Sequence, residues 1–166
     1  MLLCVIALAP TGCKRDHPAI SALRKYNQAI VRAYAENDGE LVEKWASAAE
    51  LTRIRELVGF KARARTVLEC ELIEFRVVRL ISQDSGHAEV ETVEIWVYQD
   101  RQLDPDKPIK PRFKARMGMK YFLEDSGSGW KVDRGETLQN EFLEPAGYQA
   151  SPNSAVDSSS TAGVNP

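Results

Sequence analysis

The sequence predicts an α+β domain, with N-terminal helices packed on one face of an antiparallel β-sheet. Apolar residues recur at helical spacing as far as Val58, then shift towards alternation from Thr66 onwards, where Val, Ile, Thr, Trp and Tyr become common. Helices grouped before strands, instead of alternating with them, lead to a layered α+β arrangement and not to a parallel sheet.

The first helix spans residues 19–36, where Ile20, Leu23, Ile30, Val31 and Tyr34 form an apolar stripe flanked by Tyr26 and Asn27. Asn37-Asp38-Gly39 stops it, because these residues accept turn conformations that a helix cannot continue through. A second helix is expected from Glu40 to Ala48, with Leu41, Val42 and Trp45 inward, and a third through Leu51, Ile54, Leu57 and Val58 to Gly59. A long strand follows from Thr66 to Ile81. The apolar pairs Leu72-Ile73 and Val77-Val78 break its alternation, which predicts a bulge or bend at each.

Gln83 to His87 forms the turn of a first hairpin, and Ala88 to Gln99 its returning strand. Asp100 to Pro111 is expected to be a projecting loop, since Pro105, Pro108 and Pro111 cannot donate to a sheet. Arg112 to Glu124 alternates most clearly. Phe113, Ala115, Met117, Met119, Tyr121 and Leu123 share one face, and Lys114, Arg116, Lys120 and Glu124 the other. Ser126 to Gly129 then connects to a short partner, Trp130 to Asp133, with Trp130 and Val132 inward.

The two ends read differently from this domain. Met1 to Cys13 is an apolar run closing on small residues and a cysteine, followed by Lys14-Arg15-Asp16. A helix needs roughly 20 apolar residues to cross a bilayer, so the run suits the hydrophobic region of an export signal and not a span. It resembles the bacterial lipoprotein signal, departing from it at Pro10 and in lacking a preceding Lys or Arg. That resemblance implies that residues 1–12 are removed, that Cys13 is lipidated, and that residues 13–18 link a membrane anchor to a single domain over 19–148 in the cell envelope, outside the cytoplasm. Residues 149–166 are Ser-, Asn- and Pro-rich, and are expected to be disordered for want of apolar bulk.

Charge and cysteine content narrow the function. Lys and Arg number 22 against 24 Asp and Glu, a net charge of −2, which leaves no field favouring nucleic acid. Of 3 cysteines, signal removal takes Cys4 and acylation takes Cys13, so no internal disulfide is expected. Cys70 shares strand parity with Leu68 and Leu72 and is expected to be buried and inert.

The segment Tyr34-Ala35-Glu36-Asn37-Asp38-Gly39-Glu40-Leu41-Val42-Glu43-Lys44-Trp45 resembles the helix-turn-helix opening of the nuclear transport factor 2-like superfamily, which includes ketosteroid isomerases and polyketide cyclases. Gly129-Trp130-Lys131-Val132-Asp133 resembles its last strand, and the chain is also similar to the related domain of mitochondrial import-motor tethers. The resemblance implies a strongly curved sheet around a long helix, a cone-like, cystatin-like roll with an apolar pocket at its open end.

An isomerase in such a pocket needs a carboxylate base and acidic donors, for which Tyr26, Tyr34, Glu94, Tyr98 and Tyr121 are the candidates. Glu94 shares parity with Thr92, Trp96 and Tyr98 and so can face the pocket, but the ordinary expectation is a cross-strand ion pair with Lys114, Arg116 or Lys120. Tyr34, Glu94, Trp96, Tyr98 and Tyr121 are the possible pocket residues. His87, Glu89 and Glu91 lie two residues apart, about 7 Å per step, too wide to close on one ion, so no metal is expected; nor is any cofactor. Arg53, Arg55, Lys61, Arg63 and Arg65 read as a solvated face balanced by Glu50, Glu56 and Glu69, and Pro108-Ile109-Lys110-Pro111 as a stiff loop.

The leading expectation is thus a non-catalytic module on a lipid anchor, binding a small apolar ligand or an envelope protein. The alternatives are a small-molecule isomerase or cyclase, marked by an inward acid beside a pocket tyrosine, and an envelope assembly subunit.

Overall fold

Helix α1, Pro18–Glu36, begins with proline in its first turn, where a missing N–H costs nothing, and with His17 Nδ1 accepting from the Ala19 N–H at 3.3 Å. It ends at Asn37, whose φ of 54° is left-handed and whose side-chain amide donates to the Thr66 carbonyl at 3.0 Å. These coordinates are a computed structural model, which describes residues 17–82, 86–108 and 110–143. Cys13, the signal before it, linker residues 14–16 and residues 144–166, with the tail, therefore lie outside the described residues, as do residues 83–85 and Ile109; the last two linker residues, His17 and Pro18, cap and begin α1.

The segment after α1 corrects the expected helix over Glu40 to Ala48. Only a 3-10 turn forms, Gly39–Val42, and residues 43–45 continue as a hydrogen-bonded turn that brings Ala46 into a parallel bridge with Val132. The Ser47 N–H donates to the Val132 carbonyl and the Val132 N–H to the Trp45 carbonyl, both at 2.8 Å. Ser47 is thereby spent as a cap: its hydroxyl accepts from the Glu50 N–H at 3.2 Å and starts helix α2, Ala48–Arg63. Among the described residues, two α-helices and one 3-10 turn, not three helices, precede the sheet.

Four antiparallel strands follow in the order β1-β2-β3-β4: Thr66–Ser82, His87–Gln102, Phe113–Asp125 and Trp130–Leu143. The register of β1 slips at Ile73 and Val78, the positions where the apolar doublets predicted breaks. Each extra residue turns outward, 51 % and 55 % exposed respectively, and resets the alternation so that Phe75, Val77 and Leu80 pack against the core. Two further slips fall in β4, at Asp133 and Leu138, whereas β2 and β3 pair without interruption from His87 opposite Glu124 to Tyr98 opposite Phe113. Bulges bend and coil the strands that carry them, which curves the sheet around α1.

Two strand bounds differ from expectation by more than one residue. Strand β2 continues to Gln102, so the loop starts at Leu103, whose N–H donates to the Arg65 carbonyl at 2.9 Å. Strand β4 runs ten residues past Asp133, because its two bulges and its exposed polar residues erase the alternation by which a strand is recognised. The core lies between α1, α2 and the concave face, built on Leu23, Val42, Ile54, Val90 and Val132. Tyr26 and Asn27, expected at the margin of the α1 stripe, are instead 4 % and 1 % exposed. Trp130, expected in the core, is only partly buried, its ring against His17.

Candidate functional site

Beyond the packed end, the concave face encloses a cavity of about 370 Å³. Helix α1 sends Tyr26, Ile30 and Tyr34 into it at four-residue steps, and strands β1, β2 and β3 add side chains two residues apart: Leu68 and Cys70, Glu94, Trp96 and Tyr98, Met117, Met119 and Tyr121. Arg53 of α2 closes one side. The five pocket candidates Tyr34, Glu94, Trp96, Tyr98 and Tyr121 all line this one space.

Glu94 is 0 % exposed and its carboxylate accepts from four neutral donors. Thr92 Oγ1 at 2.8 Å and Asn27 Nδ2 at 3.4 Å reach Oε1; Trp96 Nε1 at 2.7 Å and the Tyr121 hydroxyl at 3.2 Å reach Oε2. Burial raises the Glu94 carboxyl above the usual range, and the four donors pull it back in part. The donors also decide where a proton can go. Trp96 N–H is fixed and would oppose a proton on Oε2, whereas at Oε1 the Thr92 hydroxyl can rotate and the Asn27 amide can turn over.

The expected ion pair of Glu94 with Lys114, Arg116 or Lys120 does not form. Glu94 stands opposite Met117 on the concave face, so the basic residues of β3 point the other way, where Lys120 pairs with Glu89 at 2.6 Å and Arg116 with Glu141 at 3.2 Å. Glu50 is a second correction: far from balancing a solvated face, it is 1 % exposed. It accepts from the Tyr26 hydroxyl and from Arg53, at 2.8 Å through Nε and 2.6 Å through Nη2. Of the other bases in that run, Arg55 pairs with Glu40 at 2.6 Å and Lys61 with Asp100.

Desolvation is the largest cause of the shifts of the cavity's tyrosines Tyr26, Tyr34 and Tyr121 and of Cys70. It raises Tyr26 and Tyr121 well above an ordinary phenol, with Glu50 and Glu94 adding to the shift, and pushes Tyr34 up to about 12. Cys70 is half-buried on the cavity wall instead of fully enclosed, and burial pushes its thiol up to about 11. Such a thiol stays protonated near neutrality and is a poor nucleophile. Among the described residues, no three His, Cys, Asp or Glu side chains are grouped to hold a metal ion.

Sequence reasoning missed Asn27, Arg53 and Gly135 as parts of this site. Gly135 lies opposite Tyr121, and a Cβ there would stand 3.1 Å from the Tyr121 ring, so any other residue would crowd the ring whose hydroxyl meets Glu94. A glycine amid polar β4 residues was the available signal.

No family model matches the chain, and no curated protein does. Solved structures do. The intermembrane space region of the chloroplast protein ARC6 superposes with a TM-score of 0.65 at 19% identity, over 75% of this chain and 98% of that one. What is shared is the fold. A conserved protein from Planctomyces limnophilus is similar with a TM-score of 0.52 at 10% identity, over 75% of this chain and 97% of the other. The α+β architecture, helices on a curved four-stranded sheet, is the cone that the nuclear transport factor 2-like resemblance implied. No helix among the described residues is long and apolar enough to cross a membrane.

Proposed function

We propose that this chain is a non-catalytic binding module that takes a small, largely apolar ligand in its cone and is held at the cell envelope through a lipid on Cys13. The observation that supports binding most is the cavity itself: about 370 Å³, within the size range of small-molecule sites, and walled by aromatic and thioether side chains around one buried polar centre. The fold shared with an intermembrane space region fits a domain that works beside a membrane.

An isomerase or cyclase is the second reading, and the contact of the Tyr121 hydroxyl with Glu94 at 3.2 Å favours it. Against it stands the occupancy of the carboxylate. A general base needs a lone pair directed at the proton it removes, and both Glu94 oxygens already accept two donors each. Glu94 organises the cavity wall instead.

The Trp96 indole N–H, bonded to Glu94, is a reporter at the centre of the site. Titrating a panel of small apolar compounds should shift its NMR resonance together with the Asn27 side-chain amide. A panel that leaves both unmoved sinks the binding reading. Separately, Cys13→Ser should abolish incorporation of radiolabelled palmitate in a bacterial host and release the protein from the membrane fraction; full retention of the Ser variant would remove the anchor.

A further inference from the structure

The charge balance of the cavity goes further than an apolar ligand. Building on the binding reading above, we propose that the cavity takes an organic cation whose charge sits on a methylated, quaternary ammonium group. Glu94 and Arg53 are the ionised side chains of the lining, and they are not partners. Arg53 is committed to Glu50 through two hydrogen bonds of 2.8 and 2.6 Å, so those two charges cancel. Glu94 faces only neutral donors and keeps one uncompensated negative charge inside an apolar wall. A cation placed there gains the field that a desolvated carboxylate exerts in a low dielectric, and an anion is repelled by it.

The hydrogen-bond pattern selects the kind of cation. A primary ammonium or a guanidinium must donate, and it finds no vacant lone pair on Glu94, since Thr92 and Asn27 hold one oxygen and Trp96 and Tyr121 the other. A quaternary ammonium donates nothing and asks only for a negative field and polarisable walls. The lining supplies them in the rings of Tyr34, Trp96, Tyr98 and Tyr121 and the sulfurs of Met117 and Met119. Two of those rings are also enriched by their role as donors. Trp96 and Tyr121 each give a hydrogen bond to the carboxylate, which shifts electron density into the ring and strengthens its attraction for a cation.

The test compares choline with 3,3-dimethylbutan-1-ol, its neutral carbon isostere, by NMR titration of the full chain at the Trp96 indole. Choline should bind roughly ten-fold tighter than the isostere. Glu94→Gln should remove that preference. Because Glu94 is buried and its variant can misfold, Tyr98→Leu serves as a second probe at a partly exposed position. It should weaken choline by about five-fold and leave the isostere unchanged. Equal affinity for the two compounds overturns the cation and leaves cavity binding standing, as does a silent response to both when the apolar panel shifts Trp96. Silence to the panel as well overturns both proposals.

Discussion

One sheet serves two ends of this molecule in opposite ways. At the closed end the concave face meets the helices, and Leu23, Val90 and Val132 are 0 % exposed. At the other end the same strands outrun their helical cover, and Phe142 of β4 is 66 % exposed. Strand β4 passes from one regime to the other within a few residues. Val132 is clamped by the backbone of Trp45 and Ser47, and by Gly135 and Thr137 the strand walls a cavity. The contrast teaches that stability and binding are separated along the strands, not between domains: the closed end pays the entropy of folding so that the open end can stay unfilled.

The largest expected effect tests the closed end. Leu23→Ala should cost about 2–5 kcal/mol, the range for a fully enclosed leucine, measured by denaturant unfolding. A loss below that range would show that the closed end repacks freely and that the division is blurred. Gly135→Val acts at the boundary. Its side chain would press on Tyr121, whose ring atoms lie 3.1 and 3.3 Å from the position of the new Cβ, and should cost about 1–3 kcal/mol while shifting the Trp96 indole resonance. An unmoved Trp96 signal would mean that Tyr121 and Glu94 are not coupled as described.

Acidification sharpens the same boundary. Burial raises the carboxyl of Glu94 in the folded protein above its value of about 4.3 in the unfolded chain, so the folded state takes up the proton first. Glu94 therefore diminishes stability above its folded value, and that loss is relieved as the pH falls towards about 4.3. Glu40, lowered by Arg55, acts with the opposite sign, but it is common to wild type and variant. Wild type should then gain stability relative to Glu94→Gln on acidification from neutrality; a difference independent of pH would place Glu94 in an ordinary, solvated environment. The smallest effect belongs to the far rim, where Phe142→Ala should change stability by no more than about 0.5 kcal/mol. A larger loss would reveal packing that the open end is not meant to have.

The two ends were also unequally legible in the sequence. Residues of the closed end obey one rule each: Ala88 and Val90 alternate inward, Leu123 continues them on β3, and the doublet at 77–78 marks a bulge, as does that at 72–73 beside the cavity, because a second apolar residue in sequence has to leave the concave face. The open end mixes rules. Glu94 follows the inward alternation, yet its charge made a surface ion pair the ordinary expectation; Thr92 and Trp96, two residues to either side, supply half of the donors that reconcile it with burial, and Asn27 on α1 and Tyr121 on β3 the other half. Glu50 was hidden the same way, by a hydroxyl from Tyr26. Such groups are satisfied in part by partners that local periodicity cannot pair, so a buried acid looks like a surface one until the fold adds its distant donors to the local ones. The Trp45 to Ser47 segment failed for a related reason: its pairing with Val132 is remote in sequence and overrides helical spacing nearby.

The distribution of the bulges has a consequence for how copies of this chain behave in concentrated solution. All four register slips fall in β1 and β4, the outermost strands, and none in the central pair. An open four-stranded sheet has two flanks with unpaired backbone groups, and a long, flat flank is a template on which another chain can add a strand. Here Ile73 and Val78 kink one flank, Asp133 and Leu138 kink the other, and the backbone of residues 45–47 already occupies the start of β4. Among the described residues the bulges shorten the straight run of each flank, which works against a second chain adding a strand there while the cone at the other end of the sheet stays open.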